Sequence, residues 1–106
     1  LELSSKPTAI VASNDVSAFG AMDAIRFAGL DVPKDISVLG FDDVPQASTT
    51  YPKLTTVRQP LNEMGKLAVN LLLEQINNPK TNPQQVMLET SLIIRDSCRR
   101  VGRGKK

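Results

Sequence analysis

The run Ile36–Asp43, ISVLGFDD, constrains this chain more than any other stretch. From Ile36 to Phe41 the residues are small or apolar with no charge among them, and two carboxylates then follow directly. A short apolar run closed by turn-forming residues has the length and content of a strand buried on both faces of a parallel sheet. At the carboxyl end of such a strand the chain must turn, and in open α/β sheets ligands sit at that edge. Asp42 and Asp43 are expected where a polar ligand meets the sheet.

The residues before this run complete a unit around it. Ala9–Ser13, AIVAS, reads as a second buried strand, entered from the connector Lys6-Pro7-Thr8. Asn14 and Asp15 are good capping residues, and a carboxylate is favoured at a helix amino end. A helix is predicted over 15–28, with Gly29 where a left-handed residue is wanted. Ala18, Ala21, Met22, Ile25 and Ala28 fall on one face suited to a sheet. Val16, Phe19, Gly20 and Phe27 lie roughly opposite, where a lone surface helix should be polar. Two apolar faces imply two neighbours. Leu30–Asp35 is a tight loop into the central strand, predicted over 36–40, and strand, helix and strand in this order make a right-handed βαβ unit. The fold class is α/β with a parallel sheet.

Past Asp43, one helical turn is expected within Val44–Thr49, then an irregular crossing through Thr50–Lys53. Leu54–Arg58, LTTVR, alternates and is rich in β-formers. Pro60 is well placed in the first turn of a helix predicted over 61–77, whose stripe is Leu61, Met64, Ala68, Leu71, Leu72 and Gln75. Asn77-Asn78-Pro79 ends it, and Lys80–Gln85 is a polar loop. Two final strands are predicted, Val86–Glu89 and Leu92–Arg95, with a bend at Thr90-Ser91.

Several chemistries are excluded by what is absent. The sequence holds no His and a single cysteine, Cys98, which removes His-dependent triads, most zinc sites and any internal disulfide. It has no G-x-G-x-x-G, phosphate loop or nucleophile elbow. Asp15, Asp42 and Asp43 could hold Mg²⁺ as in a phosphoacceptor site, but that needs a lysine after a strand, and Lys34 and Lys53 lie in predicted loops. Neither a metal, a cofactor nor catalysis is expected. No apolar run approaches the roughly 20 residues of a membrane-spanning helix. At 106 residues, 41% hydrophobic and 23% charged, the chain suits one small domain. Its +2 charge hides an asymmetry: residues 1–98 carry eight positive and eleven negative charges, whereas residues 99–106 hold five positive ones. The basic end is expected to be a disordered tail. Leu1–Ser5 reads as the end of a helix begun earlier in a longer protein.

Taken together, SNDVSAFGAMDAIRFAGLDVPKDISVLGFDD, YPKLTTVRQPLNEMG and LIIRDSC resemble the carboxy-terminal part of the LacI/GalR family of bacterial transcriptional repressors. The resemblance runs from about Pro7 to Cys98, with the motifs in the family's order and spacing. It implies a partial sensor domain over 1–98, similar to the type I periplasmic binding proteins, in which two α/β lobes clamp a small molecule. This chain would supply the latter half of the second lobe, the crossing at Leu54–Pro60, one helix returning to the first lobe and the last strands. Operator DNA would be read only by a helix-turn-helix headpiece outside this chain. The resemblance also implies a cytoplasmic protein that forms a homodimer or higher homo-oligomer, with no membrane partner. The alternative is the sugar-binding protein of an ABC-type transport system, of similar fold.

The resemblance assigns ligand contacts to Asn14, Asp42 and Gln59. Asn14 would hydrogen-bond effector hydroxyls, although a helix cap explains it as well. Asp42 would accept bonds from adjacent hydroxyls of a sugar or related polar metabolite, against the simpler reading of a loop aspartate bonding its own backbone. Gln59 would face the cleft at the crossing, or act there through its backbone only. Asp15 is expected to serve the helix dipole, and Asp43 to cap the turn after it. Val16, Phe19, Met22, Phe27, Thr50 and Tyr51 are assigned to the subunit interface, with a second core layer as the plainer reading for the helix stripe.

Overall fold

The computed structural model describes residues 6–80 and 82–101. Its elements in order are β1 (Ala9–Val11), α1 (Asp15–Phe27), β2 (Ser37–Asp42), a 3₁₀ turn (Pro45–Ser48), β3 (Thr55–Arg58), α2 (Leu61–Asn77) and β4 (Ser91–Ile93). The helical end expected at 1–5 and most of the basic tail lie outside the described residues. The chain divides into two compact units, Gln59–Thr90 and the remainder.

In the first unit four strands form one sheet in the order β1-β2-β3-β4. The first three run parallel, with Val11 opposite Leu39 and Asp42 opposite Arg58, and β4 closes the edge antiparallel to β3. β2 is the most enclosed strand: Ser37, Val38 and Gly40 are buried and Leu39 half-buried. It extends two residues beyond the predicted end because pairing with β3 continues as far as Arg58. Asp42 therefore belongs to the strand, not to the loop after it.

α1 packs on this sheet through Asp15, Ala18, Met22 and Ile25, spaced to share one face. Ala18, Met22 and Ile25 form the core with Ile36, Val38, Ala47 and Leu54. The helix stops as predicted from Gly29, whose φ is +84°. Its N–H bonds the Arg26 carbonyl at 3.0 Å and the Leu30 N–H bonds that of Ile25 at 3.1 Å, the paired bonds of a Schellman ending. Leu30 then packs against the core. Ala28 is exposed, because it is the cap residue and no longer on the sheet side.

Beyond β4 the chain turns back across the sheet. Ser97, fully buried, donates its hydroxyl to the Val38 carbonyl at 2.6 Å and accepts the Thr55 N–H at 2.8 Å, stitching β2 to β3. Arg99, expected as the first residue of a loose tail, donates to the carbonyls of Pro33 and Lys34.

The second unit contains α2, whose limits match the prediction. The strand expected at Val86–Glu89 does not form: the sheet consists of β1-β2-β3-β4, and the segment joins no sheet. Instead Val86 and Leu88 line a groove with Met64, Leu67 and Leu71 of α2. None of the residues of α2 is buried.

Candidate functional site

The carboxyl ends of β1 and β2 deliver two of the expected ligand residues to one edge of the sheet. Past β1, Asn14 caps α1: its backbone is extended and its side-chain oxygen accepts the Ser17 N–H at 2.7 Å. The cap uses the amide oxygen and leaves the nitrogen end of the same group as a donor. At the end of β2 stands Asp42, half-buried, with a φ of +125°. Asp43 follows at +62°. Two adjacent non-glycine residues at positive φ cost on the order of 1–3 kcal/mol each, and such backbone persists only where its surroundings hold it.

Two carboxylates, those of Asp15 and Asp43, divide the work of holding it. Asp15 is completely buried. Its Oδ2 accepts the Val44 N–H at 2.8 Å and its Oδ1 accepts the Thr56 hydroxyl at 2.6 Å, so it ties the turn after β2 to β3. Gly40 makes room for this carboxylate, since a Cβ there would collide with Asp15 Oδ1 and crowd Leu54 Cδ2 at 2.9 Å. Asp15 begins α1, as the dipole reading requires, but satisfying buried donors is its larger part.

Asp43 does not cap the turn: the cap of the 3₁₀ segment is Val44, with no side-chain bond. Its carboxylate instead lies between two arginines, Arg58 Nε at 2.7 Å and Arg95 Nη2 at 2.8 Å, with only 8% of the side chain exposed. Burial raises the Asp43 pKa, but hydrogen bonds from Arg58 and Arg95 and their positive charges outweigh it and hold the group below the ordinary 3.8. Arg95 is anchored in turn, with Nη1 on the Leu54 carbonyl and its N–H on the Thr55 hydroxyl, both at 2.9 Å.

Gln59, the third expected ligand residue, follows β3 directly but begins the second unit. It is half-buried.

The residues expected at a subunit interface separate by exposure. Val16, Phe27 and Tyr51 are 68%, 95% and 91% exposed. Phe19 is half-buried and touches the core, and Met22, at 2% exposed, belongs to it. Met22 is thereby removed from the open face, as its place on the sheet-side stripe demands. Phe19, Met22, Thr50 and Tyr51 still border one shallow groove of about 330 Å³ with Asp23 and Arg26. Arg26 spans it, donating to the Tyr51 carbonyl at 2.9 Å and pairing with Asp23 at 3.3 Å. Among the described residues no helix is long and apolar enough to cross a membrane.

Comparison with known proteins decides the family. Residues 1–98 match the model of the periplasmic binding protein-like domain. The chain belongs to this family. Within it, the domain is 43% identical over 97 residues to the ribose operon repressor of Haemophilus influenzae, covering 92% of this chain and 29% of that protein. A LacI family transcriptional regulator from Enterococcus faecium, solved with bound ribose, superposes with a TM-score of 0.82 at 34% identity, covering 89% of this chain and 35% of the other. A dimeric Lac repressor gives 0.78 at 39% identity, over 87% and 34%. The resemblance to LacI/GalR regulators thus holds across the periplasmic binding protein-like domain, which spans about 30% of the length of the curated relatives it matches.

The arginine clamp on Asp43 and the burial of Asp15 were not foreseen in the sequence. The available signal was Gly40, two residues before the acids, and a charge of each sign at the end of β2 and β3.

Proposed function

We propose that this domain is part of a cytoplasmic, dimeric repressor of the LacI type, and that its sheet edge takes part in binding a sugar effector. The observation that carries the reading is Asp42, a carboxylate kept at strained positive φ at the end of the central strand. A carboxylate there accepts hydrogen bonds from neighbouring hydroxyls, and the Asn14 amide offers donor chemistry at the adjoining strand end. The family resemblance adds Gln59, which follows β3 directly, as a separate candidate contact. The relatives' names favour a repressor over an ABC transport component, and bound ribose in one of them makes a pentose the first effector to try. This is a binding role with no turnover. Effector would favour one arrangement of the whole protein over another, and operator affinity would follow through parts outside residues 1–98.

The test is calorimetric titration of the full-length protein with D-ribose. Asp42→Ala should weaken binding at least tenfold, about 1.4 kcal/mol, since a hydrogen bond to a charged group contributes roughly 1.5–3 kcal/mol. Equal affinity in variant and parent would remove Asp42 from the site.

A further inference from the structure

We infer that Asp43 is the positioning residue of this edge: clamped between Arg58 and Arg95, it fixes the chain reversal that aims the Asp42 carboxylate. The effector part of this inference rests on the reading above; the positioning part rests on geometry alone.

The sequence puts no glycine at the reversal, yet Asp42 and Asp43 have φ of +125° and +62°. The conformation must come from contacts. On the near side, Phe41 and Asp42 are held in the ladder opposite Val57 and Arg58. On the far side, Val44 is held through its N–H by buried Asp15. Asp43 lies between these fixed points and takes one arginine on each oxygen. The two arginines come from different places: Arg58 closes β3, while Arg95 lies past β4 and is itself bonded to Leu54 and Thr55. The clamp therefore ties the reversal to two separate segments. Only a carboxylate satisfies both guanidinium groups, since an amide has a single acceptor oxygen. The second acid of the pair accordingly acts through the first and touches no ligand.

Two measurements on the full-length protein decide this. Crystal structures of parent and Asp43→Ala should differ at Asp42, whose φ leaves the positive region and whose carboxylate turns from its parent direction. An Asp42 unchanged in that variant overturns the inference. Titration with D-ribose supplies a double-mutant cycle. Asp43→Ala alone should weaken binding at least tenfold, while Asp42→Ala/Asp43→Ala should bind no worse than Asp42→Ala. Additive losses would mean that Asp43 acts independently, and would also overturn it. If Asp43→Ala fails to fold, Asp43→Asn, which keeps one acceptor, replaces it in both measurements. If the parent binds no ribose, the sugar reading fails, and the crystal structures alone decide the positioning role.

Discussion

Asp15 and Gly40 are one design seen from two positions. A fully buried carboxylate is tolerated only when its oxygens are satisfied, and Thr56 and Val44 do that where Gly40 leaves space. Gly40→Ala should therefore cost about 1–3 kcal/mol by overpacking, read as a lower urea midpoint in the full-length protein; an unshifted midpoint would show that the carboxylate can move aside. Asp43 gives a pH-dependent counterpart. Its folded pKa is lowered, so its stabilisation is complete above 3.8 and is lost as pH falls below that value toward the folded one. Melting of parent and Asp43→Asn should differ most near neutrality and converge in acid, and a constant gap down to about pH 2 would exclude the linkage. At this scale the sequence was readable where pattern is local: charge-free residues ending in acids put Asp42 at the carboxyl edge of the sheet, although in the turn past the strand and not as its last residue. Burial of Asp15 was not readable, because a dipole partner and a buried acceptor have the same local signature and only the distant Thr56 and Gly40 tell them apart.

α1 shows what periodicity can and cannot reveal. Its sheet-side residues followed from spacing, and its end followed from Gly29. The second apolar stripe was equally plain, but spacing could not say how far each side chain stays open. Phe19 leans on the core, whereas Phe27 and Val16 do not join it. This changes which substitution tests the proposed subunit contact. Phe19→Asp would disturb the core as well as any interface, but Phe27→Asp alters a side chain that is 95% exposed. Surface changes away from special features usually fall within about 0.5 kcal/mol. Phe27→Asp in the full-length protein should thus leave the circular dichroism spectrum unchanged while shifting sedimentation toward monomer; unaltered sedimentation would take Phe27 out of the contact. The failed strand at Val86–Glu89 is a different case. Its sequence, VMLE, carries enough apolar content for a strand, but the segment pairs with none of the four strands, and Val86 and Leu88 line a groove with α2 instead.

Between the two units the contrast is one of enclosure. The first surrounds a core of Ala18, Met22, Ile25, Ile36, Val38, Ala47 and Leu54, cross-linked by Ser97 and Asp15. In the second, a 17-residue helix contains no buried residue, and Leu72 and Ile76 are 58% and 62% exposed. A helix of that length is marginal in water when tertiary packing does not support it. Its apolar stripe, legible from Leu61 to Leu72, marks a face made for burial, and the chain spans only about 30% of its relatives' length. The 106-residue chain should consequently open unevenly. In hydrogen exchange followed by mass spectrometry, amides of Leu61–Asn77 should exchange at least a hundredfold faster than those of Val38 and Leu39, about 2.7 kcal/mol less protection. In the full-length protein the same helix should gain protection as its stripe is covered. Equal rates for helix and central strand in the shorter chain would mean that the second unit is stable without further partners, and the stripe would then need another explanation.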